Sequence, residues 1–185
     1  MGLGPERVLE KSMSSLDGKQ LGMVDAILAF EIDDPEAPFP FTARLAREQD
    51  WTQAFAARVI EEYKHFIALA MVAGHPVTPS EEVDQAWHLH LIDTRSYWHD
   101  LCRDTLGTEL HHGPTKGGKA EGGKFFDWYQ NTLESYRRIF ETEPPADIWP
   151  LPEERFRRAG SGVWVDRHKF WLLPKPRLWQ RLRKR

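Results

Sequence analysis

Hydrophobic residues recur every three or four positions over much of the chain, the spacing that gathers them on one face of an α-helix. The first such pattern covers residues 16–32, and its hydrophobic positions include Leu21, Val24, Ile27 and Leu28. The pattern ends at two aspartates and a proline at positions 33–35, which stop a helix. We therefore predict a helix in this stretch, followed by a linker that carries prolines at 35, 38 and 40.

Two further helices are predicted between residues 42 and 73, and each begins at a residue type that caps helix N-termini. Thr42 can cap a short helix that reaches Asp50, and Thr52 can cap a longer helix that reaches Ala73. The longer helix has a hydrophobic stripe made of Phe55, Val59, Tyr63, Phe66 and Ala70. Gly74 follows this helix and ends the pattern.

The next predicted helix begins at Ser80, which can cap it, and has acidic residues in its first turn, where carboxylates interact favourably with the helix dipole. Thr94 is a candidate cap for the helix after it. Helical spacing then continues through Tyr97, Trp98, Leu101, Cys102 and Thr105. At Gly107 the chain is expected to turn and to present His111 and His112 beyond the turn.

The C-terminal third divides into a loop, a helix and an irregular segment. Residues 113–123 contain five glycines and a proline, which argues against regular structure and gives a loop that could cover a site. Residues 124–140 return to helical spacing and are followed by Pro144 and Pro145, which end the helix. The remaining Trp- and Pro-containing chain has no helical period, so short strands or irregular chain packed over the helices are expected there.

These patterns predict an all-α fold, a compact bundle of about five to six helices with an irregular Trp- and Pro-rich C-terminal segment. The length of 185 residues suits one domain, which we place at residues 1–176, with a His-rich motif region at 77–115. Residues 177–185 are predicted to form a basic tail. Hydrophobic residues make up 41% of the chain, with eight Trp and ten Phe, so the core has ample apolar material.

The charge and the cysteine content indicate which binding partners and which cellular location to expect. The formal net charge of −3 provides no basic field for nucleic acid, apart from the basic tail, which could touch RNA, an acidic partner or an anionic membrane. Cys102 is the only cysteine, so no intrachain disulfide can form, and the N-terminus has no pattern of a secretion signal. No apolar stretch is long enough to insert into a membrane, and a cytoplasmic location is expected.

The main functional signal is a concentration of metal-ligating residues, because five of the eight histidines lie between positions 88 and 112. Asp84 and His88 are four apart, so on a helix they leave the same face and can share one cation. His90 lies roughly 200° from His88 around a regular helix and is a weaker candidate. We predict Asp84, His88 and His112 as ligands of a divalent metal, with His111 as the alternative to His112, and with zinc first and iron or manganese as the other metals.

Other candidate residues have simpler explanations in the core. Cys102 could supply a thiolate to a metal, but a lone cysteine in a helix is more often a small core residue. Trp87 and Tyr97 could shape a pocket, although aromatic residues at helical spacing normally pack in the core. Glu62-x-x-His65 and Glu109-x-x-His112 also have the carboxylate-to-histidine spacing of di-iron bundles, which remains a minor alternative.

Some of these residues form a recognisable pattern. It consists of Asp84-Gln85-Ala86-Trp87-His88-Leu89-His90, then Thr94, Tyr97, Cys102 and Gly107, and finally His111-His112-Gly113-Pro114. The pattern resembles the glycine-rich domain-containing protein family, formerly a domain of unknown function, whose bacterial members carry the D-x-x-W-H and H-H-x-P motifs. The resemblance implies a compact helical domain and the position of a site, without a settled reaction.

Three hypotheses about function follow. In the first, the chain is a metal-dependent enzyme in which Asp84, His88 and either His111 or His112 hold a cation with a position left open for water or substrate. His111 and Tyr97 are then the predicted catalytic proton donors or acceptors, acting on an unknown small molecule. In the second hypothesis, the same residues are structural and the domain binds a protein partner through exposed Trp side chains or through the basic tail. In the third, the metal only stabilises the fold.

Overall fold

The structure of the chain is a computed structural model that describes residues 16–34, 36–113 and 119–158. Across these residues it contains seven helices and no strand. The helices are α1 (Gly18–Leu28), α2 (Phe41–Gln49), α3 (Gln53–Val72), α4 (Glu81–Ile92), π1 (Ser96–Leu106), α5 (Lys119–Phe140) and α6 (Pro152–Arg158). The prediction of an all-α fold is confirmed, with slightly more helices than expected.

The caps predicted for the two central helices are confirmed. The Thr52 hydroxyl accepts a hydrogen bond from the Phe55 amide at 3.2 Å, and the Ser80 hydroxyl accepts one from the Val83 amide at 3.2 Å. Each bond satisfies an N–H group that has no partner inside its helix. These local interactions fix where α3 and α4 begin, and the start of α4 determines the position of Asp84.

The predicted role of Thr42 as a cap is wrong. Helix α2 begins after Pro40, and Thr42 lies inside its first turn. The Asp33 carboxylate, nine residues earlier, accepts hydrogen bonds from the Thr42 amide at 2.8 Å and from the Thr42 hydroxyl. The Thr42 amide, which has no partner inside α2, is therefore satisfied by a side chain from the preceding linker.

Helix α3 lies at the centre of the fold, in contact with α1, α2, α4 and α5. Because it is covered on several sides, most of its hydrophobic residues are buried, including Tyr63, Phe66, Ile67 and Leu69. Lys64 is also buried, and its ammonium group donates to the Leu28 carbonyl at 3.1 Å, at the C-terminus of α1. A cation at that end interacts favourably with the helix dipole and joins α1 to the central helix.

Residues 96–106 form a π-helix, in which amides bond to carbonyls five residues earlier, and not the ordinary α-helix that the sequence pattern predicts. The wider turn brings residues four or five apart onto one face, and the buried residues of π1 are Tyr97, Leu101, Cys102 and Leu106. Thr94 does not cap π1, because the helix follows Arg95 without any side-chain cap. Gly107, with a φ of 68°, ends it in the left-handed conformation that favours glycine.

The predicted absence of regular structure in residues 113–123 is wrong for its second half, since α5 begins at Lys119. Each of the two glycines near the start of α5 weakens the helix by about 1 kcal/mol relative to alanine. The long amphipathic part of α5 that follows them can offset this cost. Helix α6 was also not predicted, although Pro152 at its first position is typical of a helix start. The rest of the C-terminal segment that we predict to be irregular and the predicted basic tail lie outside the described residues, as do residues 114–118.

No helix in the described parts of the chain is both long and apolar enough to cross a bilayer.

Replacing Ser80 with alanine is expected to lower the free energy of unfolding by about 1 kcal/mol, because the Val83 amide loses its buried acceptor. Urea denaturation of the wild type and the Ser80→Ala variant measures this difference. Thr52→Ala is the matched control, since it removes the same type of cap from α3. A loss well below that of Thr52→Ala would contradict a role for Ser80 in fixing the start of α4.

Candidate metal centre

Helix α4 supplies two of the predicted ligands from adjacent turns. Asp84 lies in its first turn, and its Oδ2 atom is 3.8 Å from Nδ1 of His88, one turn later. The spacing of four residues puts both side chains on the same face of the helix, as the sequence predicted. This face carries a carboxylate and an imidazole that can approach a common point.

His112 reaches the same point from a segment without helix or strand, after the turn at Gly107. Its Nε2 atom is 2.8 Å from Oδ1 of Asp84, and the centres of the His112 and His88 rings are 4.5 Å apart. One ligand atom from each of the three side chains lies within 4.8 Å of the others. Within the described residues, this is the one group of at least three such side chains that could hold a metal.

The cluster is closed on one side and accessible on another. The side chains of Asp84 and His112 are 28% and 22% exposed, while that of His88 is 49% exposed. The Trp87 ring, buried beneath, contacts the His112 ring edge to face with the centres 4.5 Å apart. A metal held by these three side chains would have protein on one side and solvent access on the other, and catalytic zinc sites likewise keep one position open.

The two residues predicted to be catalytic lie in different surroundings. Tyr97 is fully buried, its hydroxyl accepts a bond from Nε1 of Trp87 at 2.9 Å and donates to the Leu110 carbonyl, and burial raises its pKa to about 12. His111 is exposed, lies beside the Trp98 ring and pairs with the Glu109 carboxylate at 2.9 Å. Neither belongs to the cluster of ligand atoms, and their catalytic roles stay predictions.

His90 and Cys102 belong to the core. His90 is fully buried, and its Nδ1 and Nε2 atoms are within hydrogen-bond distance of the hydroxyls of Tyr63 at 3.1 Å and Ser96 at 3.0 Å. Burial lowers the pKa of His90 to about 4, against weaker opposing effects of Asp93 and Asp100. Cys102 is also buried, and burial raises the pKa of its thiol, as expected of a core residue and not of a reactive one.

The residues considered for a di-iron centre have other partners. The buried Glu62 carboxylate accepts bonds from Nε1 of Trp149 at 2.8 Å and from the Tyr136 hydroxyl at 3.2 Å. His65 lies beside it, with Nδ1 at 3.8 Å from Oε1 of Glu62. Glu109 pairs with His111 and not with His112, so the two motifs do not combine into one site.

One residue near the cluster gave no signal in the sequence. Arg155, on α6, donates through Nε to the Pro79 carbonyl at 3.0 Å, just before α4, and its guanidinium lies over the Tyr129 ring at 4.9 Å. Burial lowers its pKa, and the nearby carboxylates, including that of Asp84, act in the opposite direction. Arg155 thus places a partly buried positive charge near the acidic start of the ligand-bearing helix.

The comparisons with known proteins give a family model and curated relatives. A family model described as UCP032817-like matches residues 32–124, about half of the chain, including all three clustered residues. Glycine-rich domain-containing protein 2 of Arabidopsis thaliana is 24% identical over 108 residues, which are 55% of this chain and 13% of that protein. Glycine-rich domain-containing protein 1 of the same plant is 24% identical over 108 residues, or 56% of this chain and 13% of that protein.

The chain therefore matches only 13% of the length of each of these relatives. No solved structure matches it significantly. The matches confirm the resemblance to glycine-rich domain-containing proteins that the sequence pattern indicated.

Proposed function

This chain belongs to the UCP032817-like family, and from that premise we propose that it is a divalent-metal-binding domain whose ligands are Asp84, His88 and His112. The observation that carries the proposal is the convergence of one carboxylate and two imidazoles, with ligand atoms within 4.8 Å of one another. The two residues of α4 are brought together by helix geometry alone, whereas His112 comes from 24 positions further along the chain. Such a convergence of ligands from separate segments is typical of a metal site.

The ligand set favours zinc first. Two imidazoles and a carboxylate are the protein ligands of one class of catalytic zinc site, and the same set also binds iron in oxygenases. Manganese accepts carboxylate and imidazole as well. A zinc ion with three protein ligands keeps a fourth position for water or substrate and supplies Lewis-acid chemistry there.

The accessible side of the cluster favours an enzymatic role over a closed structural site. The half-exposed His88 ring leaves room for a small molecule, which a structural site with four protein ligands would not have. Of the two proposed proton-transfer residues, His111 is exposed and adjacent in sequence to a ligand, so it is the better candidate for contact with a substrate. The reaction proposed is therefore metal-assisted, on a small molecule of unknown identity.

A non-catalytic interaction module is the second candidate, and one observation favours it. Nε2 of His112 lies within hydrogen-bond distance of Oδ1 of Asp84, at 2.8 Å, and this bond can hold the segment after π1 against α4. In this case the cluster is a structural hydrogen-bond network, and binding of a protein partner takes place elsewhere on the surface.

Cobalt substitution distinguishes the two candidates, because the visible spectrum of Co²⁺ reports its coordination. We expect the metal-free wild type to take up one equivalent of Co²⁺ and to change its spectrum when azide is added, as an open position requires. His112→Ala is expected to lose this uptake. His99→Ala is the control, since His99 is an exposed histidine of π1 that contacts Arg103.

Each outcome of the cobalt experiment has a defined meaning. Uptake with a spectrum that azide leaves unchanged would favour a closed structural site. Folded wild-type protein that binds no Co²⁺ would contradict the metal proposal and favour the interaction module. Equal losses of uptake in His112→Ala and His99→Ala would contradict the assignment of His112 as a ligand.

A further inference from the structure

The third ligand of the proposed site, His112, lies on the segment that leads away from π1. Residues 108–113 have no helix or strand, and they follow the left-handed turn at Gly107. At the start of this segment, the Thr108 amide donates to the Cys102 carbonyl at 3.1 Å, which fastens it to the end of π1. Contacts further along the segment must therefore set where His112 lies relative to α4.

A buried hydroxyl provides such a contact. Tyr97, on the inner face of π1, donates its hydroxyl proton to the Leu110 carbonyl, two residues before His112. The hydroxyl oxygen accepts a hydrogen bond from Nε1 of Trp87 at 2.9 Å. The Tyr97 side chain is fully buried, so its only proton is held by a backbone carbonyl away from solvent.

Trp87 links this anchor to the ligands themselves. It lies on α4 between Asp84 and His88 in the sequence, and its ring packs edge to face on the His112 ring with centres 4.5 Å apart. One side chain thus fixes the tyrosine through its N–H group and contacts the third ligand through its ring. The chain of contacts runs from π1 through Leu110 to His112, and separately from α4 through Trp87 to His112.

We propose that Tyr97 is a positioning residue that holds His112 in register with Asp84 and His88 through its bond to the Leu110 carbonyl. This inference rests on the proposed metal-binding function for its importance, although the anchoring itself does not need an ion. It replaces the proton-transfer role predicted for Tyr97, since both the proton and the oxygen of the hydroxyl are already engaged. Groups around a metal ligand that orient it commonly change metal affinity by about 10- to 100-fold.

Tyr97→Phe tests the proposal against a matched control. Tyr129 is also fully buried and also donates its hydroxyl to a backbone carbonyl, that of Pro150 at 2.8 Å, so Tyr129→Phe removes the same kind of bond elsewhere. Competition with a chromophoric chelator gives the zinc affinity of each variant. We expect Tyr97→Phe to bind zinc about 10- to 100-fold more weakly than the wild type and Tyr129→Phe to bind it nearly as tightly.

A second readout separates this inference from the metal proposal. Amide hydrogen exchange of the metal-free proteins is expected to become at least about tenfold faster in Tyr97→Phe at Leu110, whose backbone is hydrogen-bonded to the Cys102 side chain, and to stay unchanged there in Tyr129→Phe. Unchanged exchange in Tyr97→Phe would overturn the positioning role whether or not the wild type binds zinc. Faster exchange in Tyr97→Phe, together with a wild type that binds no zinc, would support the positioning role of Tyr97 and contradict the proposed metal-binding function.

A further variant covers the case in which Tyr97→Phe fails to fold. Trp87→Phe keeps an aromatic ring against His112 but removes the N–H donor to Tyr97. It is expected to speed exchange at Leu110 and to weaken zinc binding in the same direction. Wild-type exchange and affinity in Trp87→Phe, together with a Tyr97→Phe protein that does not fold, would overturn the proposal.

Discussion

We expect the Asp84→Ala variant to bind zinc at least about 100-fold more weakly than the wild-type protein, since even indirect partners of metal ligands change affinity by up to that amount. Asp84 has the central position in the cluster, because its two oxygens face Nε2 of His112 at 2.8 Å and Nδ1 of His88 at 3.8 Å. It also supplies the only negative charge among the proposed ligands. A competition titration with a chromophoric chelator measures the change.

Glu81→Ala is the control for this prediction. Glu81 also lies in the first turn of α4 and is exposed, so its removal makes the same change in charge and in interaction with the helix dipole. We expect its zinc affinity to stay within about threefold of the wild-type value, because a solvent-exposed charge outside the ligand set contributes little. Equal losses in the two variants would show that zinc responds to the general acidity of the helix start, and would contradict a ligand role for Asp84.

The second large effect concerns His90 and pH. Burial holds the pKa of folded His90 at about 4, below its ordinary value of 6.5. The unfolded chain therefore binds a proton in the interval between these values while the folded protein does not. The stabilisation from neutral His90 is complete above about pH 6.5, declines as the pH falls toward about 4, and shows no further loss below that. The total loss is about 3 kcal/mol of unfolding free energy.

Urea denaturation at a series of pH values measures this loss. The His90→Gln variant is expected to be less stable than the wild type at neutral pH, because the bonds to Tyr63 and Ser96 are disturbed, but its stability should depend less on pH between about 4 and 6.5. The difference between the two profiles isolates the contribution of His90 from those of other groups. Parallel profiles would contradict the account of His90 as a buried neutral histidine.

Features that depend on neighbours in the sequence could be predicted from it. The caps Thr52 and Ser80 bond to amides three residues later, and Asp84 and His88 share a face because they are one helical turn apart. The spacing of four residues therefore identified two of the three clustered residues. The sequence leaves His111 and His112 as alternatives for the third ligand, because the contact of His112 with Asp84 depends on the path of the chain between them.

That path could not be predicted because it depends on π1. The buried residues of π1 have spacings of four and one, which suit an α-helix nearly as well as a π-helix, so the pattern did not separate the two. The wider helical turn of π1 determines the direction in which the chain leaves the helix at Gly107 and continues to Leu110. The sequence consequently predicts the Tyr97 hydroxyl as a catalytic proton donor or acceptor, whereas in the structure it donates a hydrogen bond to the Leu110 carbonyl.

Contacts between distant segments account for the other differences. Asp33 satisfies the start of α2 from the preceding linker, a bond that no local capping rule includes. Arg155 reaches the start of α4 from a helix 76 residues after Pro79. A local pattern of hydrophobic and polar residues carries no information about either contact, since both arise only when the helices pack together.

The most direct test of the account is the metal content of untagged protein purified without added metal or chelator, for the wild type beside His88→Ala and His112→Ala. Elemental analysis is expected to find close to one equivalent of a divalent metal in the wild type, zinc before iron or manganese, and none in either variant. A folded wild-type protein that contains no metal, and stays empty after reconstitution with each of the three, would contradict the metal centre formed by Asp84, His88 and His112.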